Sequence, residues 1–242
     1  MPHGRCLPRV RWIGHATCRA ASRAFRIQRS IQRRCEAWLR GISVVAPNYL
    51  YLPLTGPRRI VVDVGCASDA DFSQHLIAKF DVTSFAIDPT LKHAAALRKL
   101  ERRLGGRFVY FPLALSSRAG RLSFNESLEN ASGSLLTEHV NIRRDQVRGY
   151  EVDAITLADL PARTGYARID LLKLDTEGAE FDILRQVTPE QLLPFLQVFV
   201  EFHHDTVAGY DITHTLALVE RMESFGFFAF TLNDRDYLFW RV

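Results

Sequence analysis

The stretch Ile169-Asp170-Leu171-Leu172-Lys173-Leu174-Asp175-Thr176-Glu177-Gly178-Ala179-Glu180-Phe181 runs an apolar strand straight into a cluster of carboxylates. In open α/β proteins ligands bind outside the carboxyl ends of parallel strands, so Asp175, Glu177 and Glu180 are expected at the mouth of a sheet. A helix dipole also favours acids at a helix N-terminus without any function. Asp175, nearest the strand end, is therefore the strongest candidate of the three.

Outward from this point, residues from Arg58 onward alternate strand-like apolar runs with helical periodicity, the order of βαβ units and a mostly parallel sheet. Strands are expected at Arg59–Val64, Ser84–Ile87, Phe108–Leu113, Glu151–Ile155, Asp170–Leu174 and Val198–Phe202. Between the first two, Asp71 and Gln74 are placed to form a capping box, and Phe72, Leu76 and Phe80 recur along one helical face. Leu97, Leu100 and Leu104 mark the next helix, which Gly105-Gly106 ends. A late helix carries Ile212, Leu216, Val219 and Met222 as its apolar stripe. Residues 116–148, rich in Gly, Ser and Asn, read as turns and a mobile lid-like excursion. Phe227–Leu232 and Tyr237–Val242 flank the turn Asn233–Asp236, so the sheet is expected to finish in an antiparallel hairpin.

Two further strand ends carry polar signals. Asp63-Val64-Gly65 closes the first strand, where a glycine lets the backbone approach a ligand that a side chain would exclude. Asp88, at the end of the second strand, can accept hydrogen bonds from both hydroxyls of a ribose. The pair implies a nucleoside-containing cofactor. Positions 65–70 read Gly-Cys-Ala-Ser-Asp-Ala rather than Gly-x-Gly-x-x-Gly, which disfavours a pyrophosphate on that turn and weakens a nicotinamide oxidoreductase reading.

Val61-Val62-Asp63-Val64-Gly65, Asp69-Ala70-Asp71-Phe72-Ser73, Phe85-Ala86-Ile87-Asp88-Pro89 and the Lys173–Glu180 block together resemble the FkbM family of S-adenosylmethionine-dependent methyltransferases, as does Val200-Glu201-Phe202-His203-His204. The Lys-x-Asp-x-Glu-Gly-x-Glu block is the specific part of the resemblance, which covers roughly Arg58–Val242. It implies a Rossmann-like class I methyltransferase fold: a seven-stranded, mostly parallel sheet with an antiparallel C-terminal hairpin. It also implies methyl transfer to a hydroxyl of a sugar, glycan, lipid or secondary metabolite. Carried over, Asp63, Gly65 and the Asp69 loop shape the pocket for the methionine part, Asp88 binds the ribose, and Ala114-Leu115 flank adenine. Asp175 and Glu201 face the acceptor. His203 or His204, directly after the fifth strand, can titrate near neutral pH. Side chains alternate along an extended segment, so only one of the two is expected to face the cleft. Asp175, Glu177, Glu201 and a histidine have metal-binding chemistry, but their spacing demands no metal.

The chain has 242 residues, 47% hydrophobic and 24% charged, enough for one domain of the larger kind plus an extension. Its charge of +4 hides an asymmetry, because residues 1–40 hold ten arginines against the single acid Glu36. Arg19, Arg23, Arg26, Arg29, Arg33, Arg34 and Arg40 interleave with Phe25, Ile27, Ile31, Trp38 and Leu39, a composition that suits a basic amphipathic helix on an anionic membrane surface, an oligomer contact or a targeting segment. The expected division is a basic N-terminal helical extension over residues 1–57 and a catalytic domain over residues 58–242. Four scattered cysteines, Cys6, Cys18, Cys35 and Cys66, and no apolar signal-peptide core point to a reducing cytoplasm, with a peripheral place at the membrane as the alternative the arginine-rich arm offers. No specific nucleic-acid partner is expected. The rival reading is a noncatalytic nucleotide- or metabolite-binding module recruited to a surface by the arginine-rich arm.

Overall fold

Parallel strands buried on both faces read as continuous apolar runs, and Ile60–Val64, Leu171–Leu174 and Gln197–Glu201 are three such runs at the centre of the molecule. The computed structural model describes residues 28–45 and 48–241. Readings that rest on Arg19, Arg23, Phe25, Arg26, Ile27, Pro47, Cys6 and Cys18 lie outside the described residues.

A helix over residues 28–39 (α1) leads into an antiparallel hairpin of β1 (Ser43–Val45) and β2 (Tyr49–Tyr51). The Gln197 amide then receives Leu52 N–H at 2.7 Å and donates to Leu52 C=O at 3.2 Å, docking the hairpin on the main sheet. Ala37, Ile42, Leu50, Tyr51 and Leu54 pack with Val61, Phe72, Leu76 and Phe199 in one cluster. A division at residue 57 therefore cuts through a shared core. The Thr55-Gly56-Pro57 turn joins the hairpin to the domain and separates nothing.

The main sheet contains β3 (Ile60–Val64), β4 (Thr83–Ile87), β5 (Phe108–Phe111), β10 (Leu171–Leu174), β11 (Gln197–Glu201), β12 (Phe228–Thr231) and β13 (Asp236–Trp240). Their order is β12-β13-β11-β10-β3-β4-β5, parallel except for β13, which runs antiparallel to both β11 and β12. Helices α2 (Asp71–Phe80) and α3 (Leu91–Leu104) cover one face through Phe72, Leu76, Leu97 and Leu100. Helices α6 (Glu180–Gln186) and α8 (Ile212–Ser224) cover the other through Phe181, Leu184, Leu218 and Met222. The strand order reverses between the parallel neighbours β3 and β10, so a crevice opens at their carboxyl ends.

Three local expectations are corrected. Residues 116–148 are not a run of turns: β7 (Gly120–Ser127) pairs along its whole length with β9 (Val147–Ile155), and β6 (Ala114–Leu115) and β8 (Gly133–Ser134) complete a second sheet. Leu122 and Phe124 alternate with polar residues and pack on Val152 and Ala154, a period-2 signal obscured by the surrounding Ser, Asn and Gly. The α2 N-cap is Ala70 at φ +44° with no side-chain cap; Asp71 instead accepts the Tyr49 hydroxyl at 2.8 Å, and the Gln74 amide donates to Asp69 C=O. In α8 the buried stripe is Thr215, Leu218, Val219 and Met222, while Ile212 and Leu216 are exposed, so the buried face is turned by about a sixth of a turn from the expected one. The short helices α4 (Val140–Arg144), α5 (Leu160–Thr164) and α7 (Pro189–Leu192) complete the described elements named here. No helix among the described residues is long and apolar enough to cross a membrane.

Candidate active site

Gly65 fixes how closely two strand ends approach. Its φ is +72°, and a Cβ added there would lie 1.7 Å from the carbonyl oxygen of Asp175. Only glycine meets both conditions. This contact lets β3 and β10 end side by side around a cleft of about 630 Å³. Val64, Gly65, Asp88, Ala114, Leu115, Asp175 and Glu177 contribute to its wall, and Phe124, Gly133 and Leu135 of the second sheet region roof it. The 116–148 segment is thus a packed wall of the cleft.

Asp88 is almost fully buried and terminates β4 before Pro89. Its carboxylate accepts Thr90 N–H at 2.8 Å and Ala67 N–H at 3.0 Å, with His93 Nδ1 at 3.2 Å. Two oxygens carry about four acceptor sites, so after these three contacts capacity remains for one hydroxyl entering the cleft.

The sequence-predicted carboxylates divide by position. Asp63 does not line the cleft: it is fully buried, accepts the Ser73 hydroxyl at 2.6 Å and lies 3.4 Å from Lys173 Nζ. Its second oxygen has no hydrogen-bond partner, only that ion pair. Lys173 in turn donates to Gly65 C=O at 2.8 Å and Asp175 Oδ2 at 3.1 Å, so Asp63 acts on the cleft through Lys173. Burial opposes the lysine's charge, but Asp175 and Asp63 outweigh it and hold the ammonium well above its usual range. Asp69 is also displaced from its expected place, exposed on the loop before α2 and away from the cleft wall, because the positive φ of Ala70 turns that loop outward.

His203 occupies the centre of the acidic group. Its backbone N–H and Nδ1 both meet Glu180 Oε1, at 2.9 and 3.1 Å, and its Nε2 lies 3.4 Å from Glu177, 3.7 Å from Asp175 and 3.8 Å from Glu201. Burial pushes the imidazole down, yet Glu180, Glu177 and Asp175 outweigh it and raise its pKa to about 10. It is an imidazolium at neutral pH. His204 points away, with Nδ1 3.0 Å from the Thr215 hydroxyl on α8. One of the two histidines thus meets the acidic group, and the turn that begins at His204 carries the other to α8.

Glu180 is wholly buried and held below the usual carboxylate range: desolvation opposes this, and His203 and the Thr176 hydroxyl prevail. Glu177, at φ +51°, bridges His203 and His139, whose Nε2 is 2.8 Å from Glu177 Oε2. Despite burial, these histidines lower Glu177 to about 2. Asp175 is raised, chiefly by burial, with Lys173 and His203 working against the rise. Glu201 is raised to about 7 by burial and by Asp175, although Arg235 pairs with it at 2.8 Å. One ligand atom each from Asp175, Glu201 and His203 lie within 4.8 Å of one another. These are the residue types that hold divalent cations, but His203 as an imidazolium has no lone pair to give, and Lys173 and Arg235 already bring positive charge to the carboxylates.

Glu201 opens on its other side to a second cleft of about 600 Å³, walled by Asn48 and Tyr49 beside the N-terminal hairpin, Phe199, and Asn233, Arg235 and Asp236 of the β12–β13 turn. Sequence reading missed this cleft, as well as His139 and Lys173. The lysine had a signal, a cation inside an apolar strand followed by acids; His139 had none, since a single antiparallel bridge to Val207 brings it to the site.

Asp63, Asp88, Asp175 and Glu201 thus come from four adjacent parallel strands, three of them at the two clefts and Asp63 one layer behind. The chain matches the model described as the methyltransferase FkbM domain over residues 44–239. It is 27% identical over 173 residues to the 2-O-methyltransferase NoeI of Sinorhizobium fredii, covering 64% of this chain and 70% of that protein. Among solved structures, Methanococcus jannaschii fibrillarin aligns with 85% of this chain and 72% of its own at TM-score 0.46 and 10% identity. The N-terminal domain of human METTL16 in complex with SAH aligns with 88% and 80% at TM-score 0.44 and 9% identity. The match over residues 44–239 spans both sheets and both clefts: the chain belongs to the FkbM methyltransferase family, and its methyl donor is S-adenosylmethionine.

Proposed function

We propose that this methyltransferase transfers its methyl group to a hydroxyl oxygen of a sugar-like, polyhydroxylated acceptor held in the cleft between Tyr49 and Arg235. The observation that carries this reading is the junction of the two clefts: Asp175 lines one, Glu201 lines the other, and their ligand atoms lie within 4.8 Å. The first cleft fits the donor. Gly65 lets β3 and β10 end side by side at its wall, Asp88 has an acceptor site to spare for a ribose hydroxyl, and Ala114, Leu115, Phe124 and Leu135 offer an apolar slot for adenine.

When bound, S-adenosylmethionine supplies an electrophilic methyl on a cationic sulfur. The remaining chemistry is alignment and removal of one proton. Glu201, with a pKa near 7, is the group poised to take that proton from an acceptor hydroxyl. His203, already charged, cannot serve as the base; it fixes Asp175, Glu177 and Glu201 in place. The second cleft carries amides, carboxylates and a guanidinium beside Tyr49 and Phe199, a mixture that pairs hydroxyls and offers apolar contact to a ring. The 2-O-methyltransferase activity named for the NoeI relative agrees with an oxygen acceptor.

The test is transfer of a radiolabelled methyl group to panels of saccharides, simple alcohols, amines and carboxylates. Alkali-stable methyl ethers on a saccharide support the reading. Transfer confined to amines or carboxylates overturns it.

A further inference from the structure

A surface helix normally turns its apolar stripe inward. Helix α1 does the reverse. Its inward side carries Ala37 and Arg33, the latter 2.5 Å from Asp234, with Arg29 reaching the same carboxylate at 3.2 Å. Ile31, Cys35, Trp38 and Leu39, at i, i+4, i+7 and i+8, face solvent, with Trp38 78% and Leu39 75% exposed. Exposed Arg34 borders that stripe, whereas Arg40, past the helix end, pairs with Glu36 at 2.9 Å. An aromatic-aliphatic stripe and an arginine unpaired among the described residues therefore coincide on one face. The segment they belong to holds ten arginines and one acid in its 40 residues.

We infer that the outward face of α1 docks on the surface of an anionic lipid bilayer. A Trp-Leu-Ile stripe bordered by arginine is the pattern that seats a helix in the interface plane, its apolar side among the acyl chains and its guanidinium groups among phosphates. A second copy of this chain would bring a like-charged arginine against the first. A nucleic acid would satisfy the arginines and leave Trp38 and Leu39 in water. The family match begins at residue 44, so this helix lies outside the conserved-domain match and is a feature of this chain's own N-terminal region. Because α1 grips Asp234, which sits between Asn233 and Arg235, docking holds the second cleft beside the lipid surface. The docking itself does not depend on what that cleft binds.

The test is co-sedimentation of the full chain with vesicles of phosphatidylcholine alone and with about 30 mol% phosphatidylglycerol added. The comparison is a full-chain variant carrying Ile31→Glu, Trp38→Glu and Leu39→Glu, all exposed positions, with its fold verified by circular dichroism and by S-adenosylhomocysteine binding. The wild type should pellet with the anionic vesicles and not the neutral ones, and the variant should lose at least about tenfold in partition. Equal pelleting by both proteins, or no pelleting of the wild type, overturns the inference. So does a wild-type dimer in sedimentation velocity that the variant lacks, or RNA binding in place of vesicle binding.

Discussion

Glu180 holds His203 by two bonds to a single oxygen, from the backbone N–H at 2.9 Å and from Nδ1 at 3.1 Å, and so aims Nε2 at Glu177, Asp175 and Glu201. One buried acid on α6 thereby sets the orientation and charge of the histidine beneath the junction of the two clefts. Glu180→Gln preserves the shape of this contact and removes its charge. The His203 pKa, raised to about 10, should fall in an NMR titration. Glu180→Ala leaves a buried imidazolium without its partner and should cost about 3–5 kcal/mol in urea unfolding. An unshifted titration in Glu180→Gln would show that this carboxylate does not control the imidazole.

His203 and Glu177 fix a pH dependence of stability. His203 has a folded pKa above its ordinary 6.5, so its contribution is complete below 6.5 and is lost as pH rises through about 10. Glu177 has the opposite sign: lowered to about 2, it contributes fully above 4.5, and the contribution is lost as pH falls through about 2. Urea unfolding between pH 6 and pH 10 should show declining stability in the wild type and a flatter profile in His203→Gln. Parallel profiles for the two proteins would contradict the assignment.

Turnover should follow the Glu201 carboxylate. Its pKa is near 7, and only the ionised form accepts a proton, so kcat should rise with pH through about 7. Glu201→Gln should lower kcat by about 10²- to 10⁴-fold and abolish that limb, with S-adenosylhomocysteine affinity altered only a few-fold. Persistence of the limb in the variant would move the base elsewhere.

Gly65→Ala combines a left-handed backbone with a clash against Asp175 C=O. It should cost at least about 3 kcal/mol and eliminate donor binding. Gly165→Ala is the control, since Gly165 has φ +78° but open space around its Cβ position. It should cost only about 1–2 kcal/mol. Equal costs at both sites, measured by urea unfolding, would show that the close approach of β3 and β10 contributes nothing.

The parallel sheet and its carboxyl-end acids were legible because buried strands are written as unbroken apolar runs that stop at Asp63-Val64-Gly65, Asp88-Pro89 and Asp175. Asp88, Ala114, Leu115 and Asp175 stand together in the wall of one cleft, whereas Asp63 points into the protein beneath it. Strand alternation gives two faces per strand but not which face holds the ligand. The second sheet was hidden because Leu122 and Phe124 are sparse apolar marks in a polar composition. His139 and the Tyr49–Arg235 cleft are products of long-range pairing, which local periodicity does not encode.

The central claim is that donor and acceptor meet across Asp175 and Glu201, and a crystal structure with S-adenosylhomocysteine tests it most directly. A ribose hydroxyl should lie within hydrogen-bond distance of Asp88, with the sulfur facing the Asp175–Glu201 junction. A ligand bound with its ribose away from Asp88, or with its sulfur turned from that junction, would contradict the account.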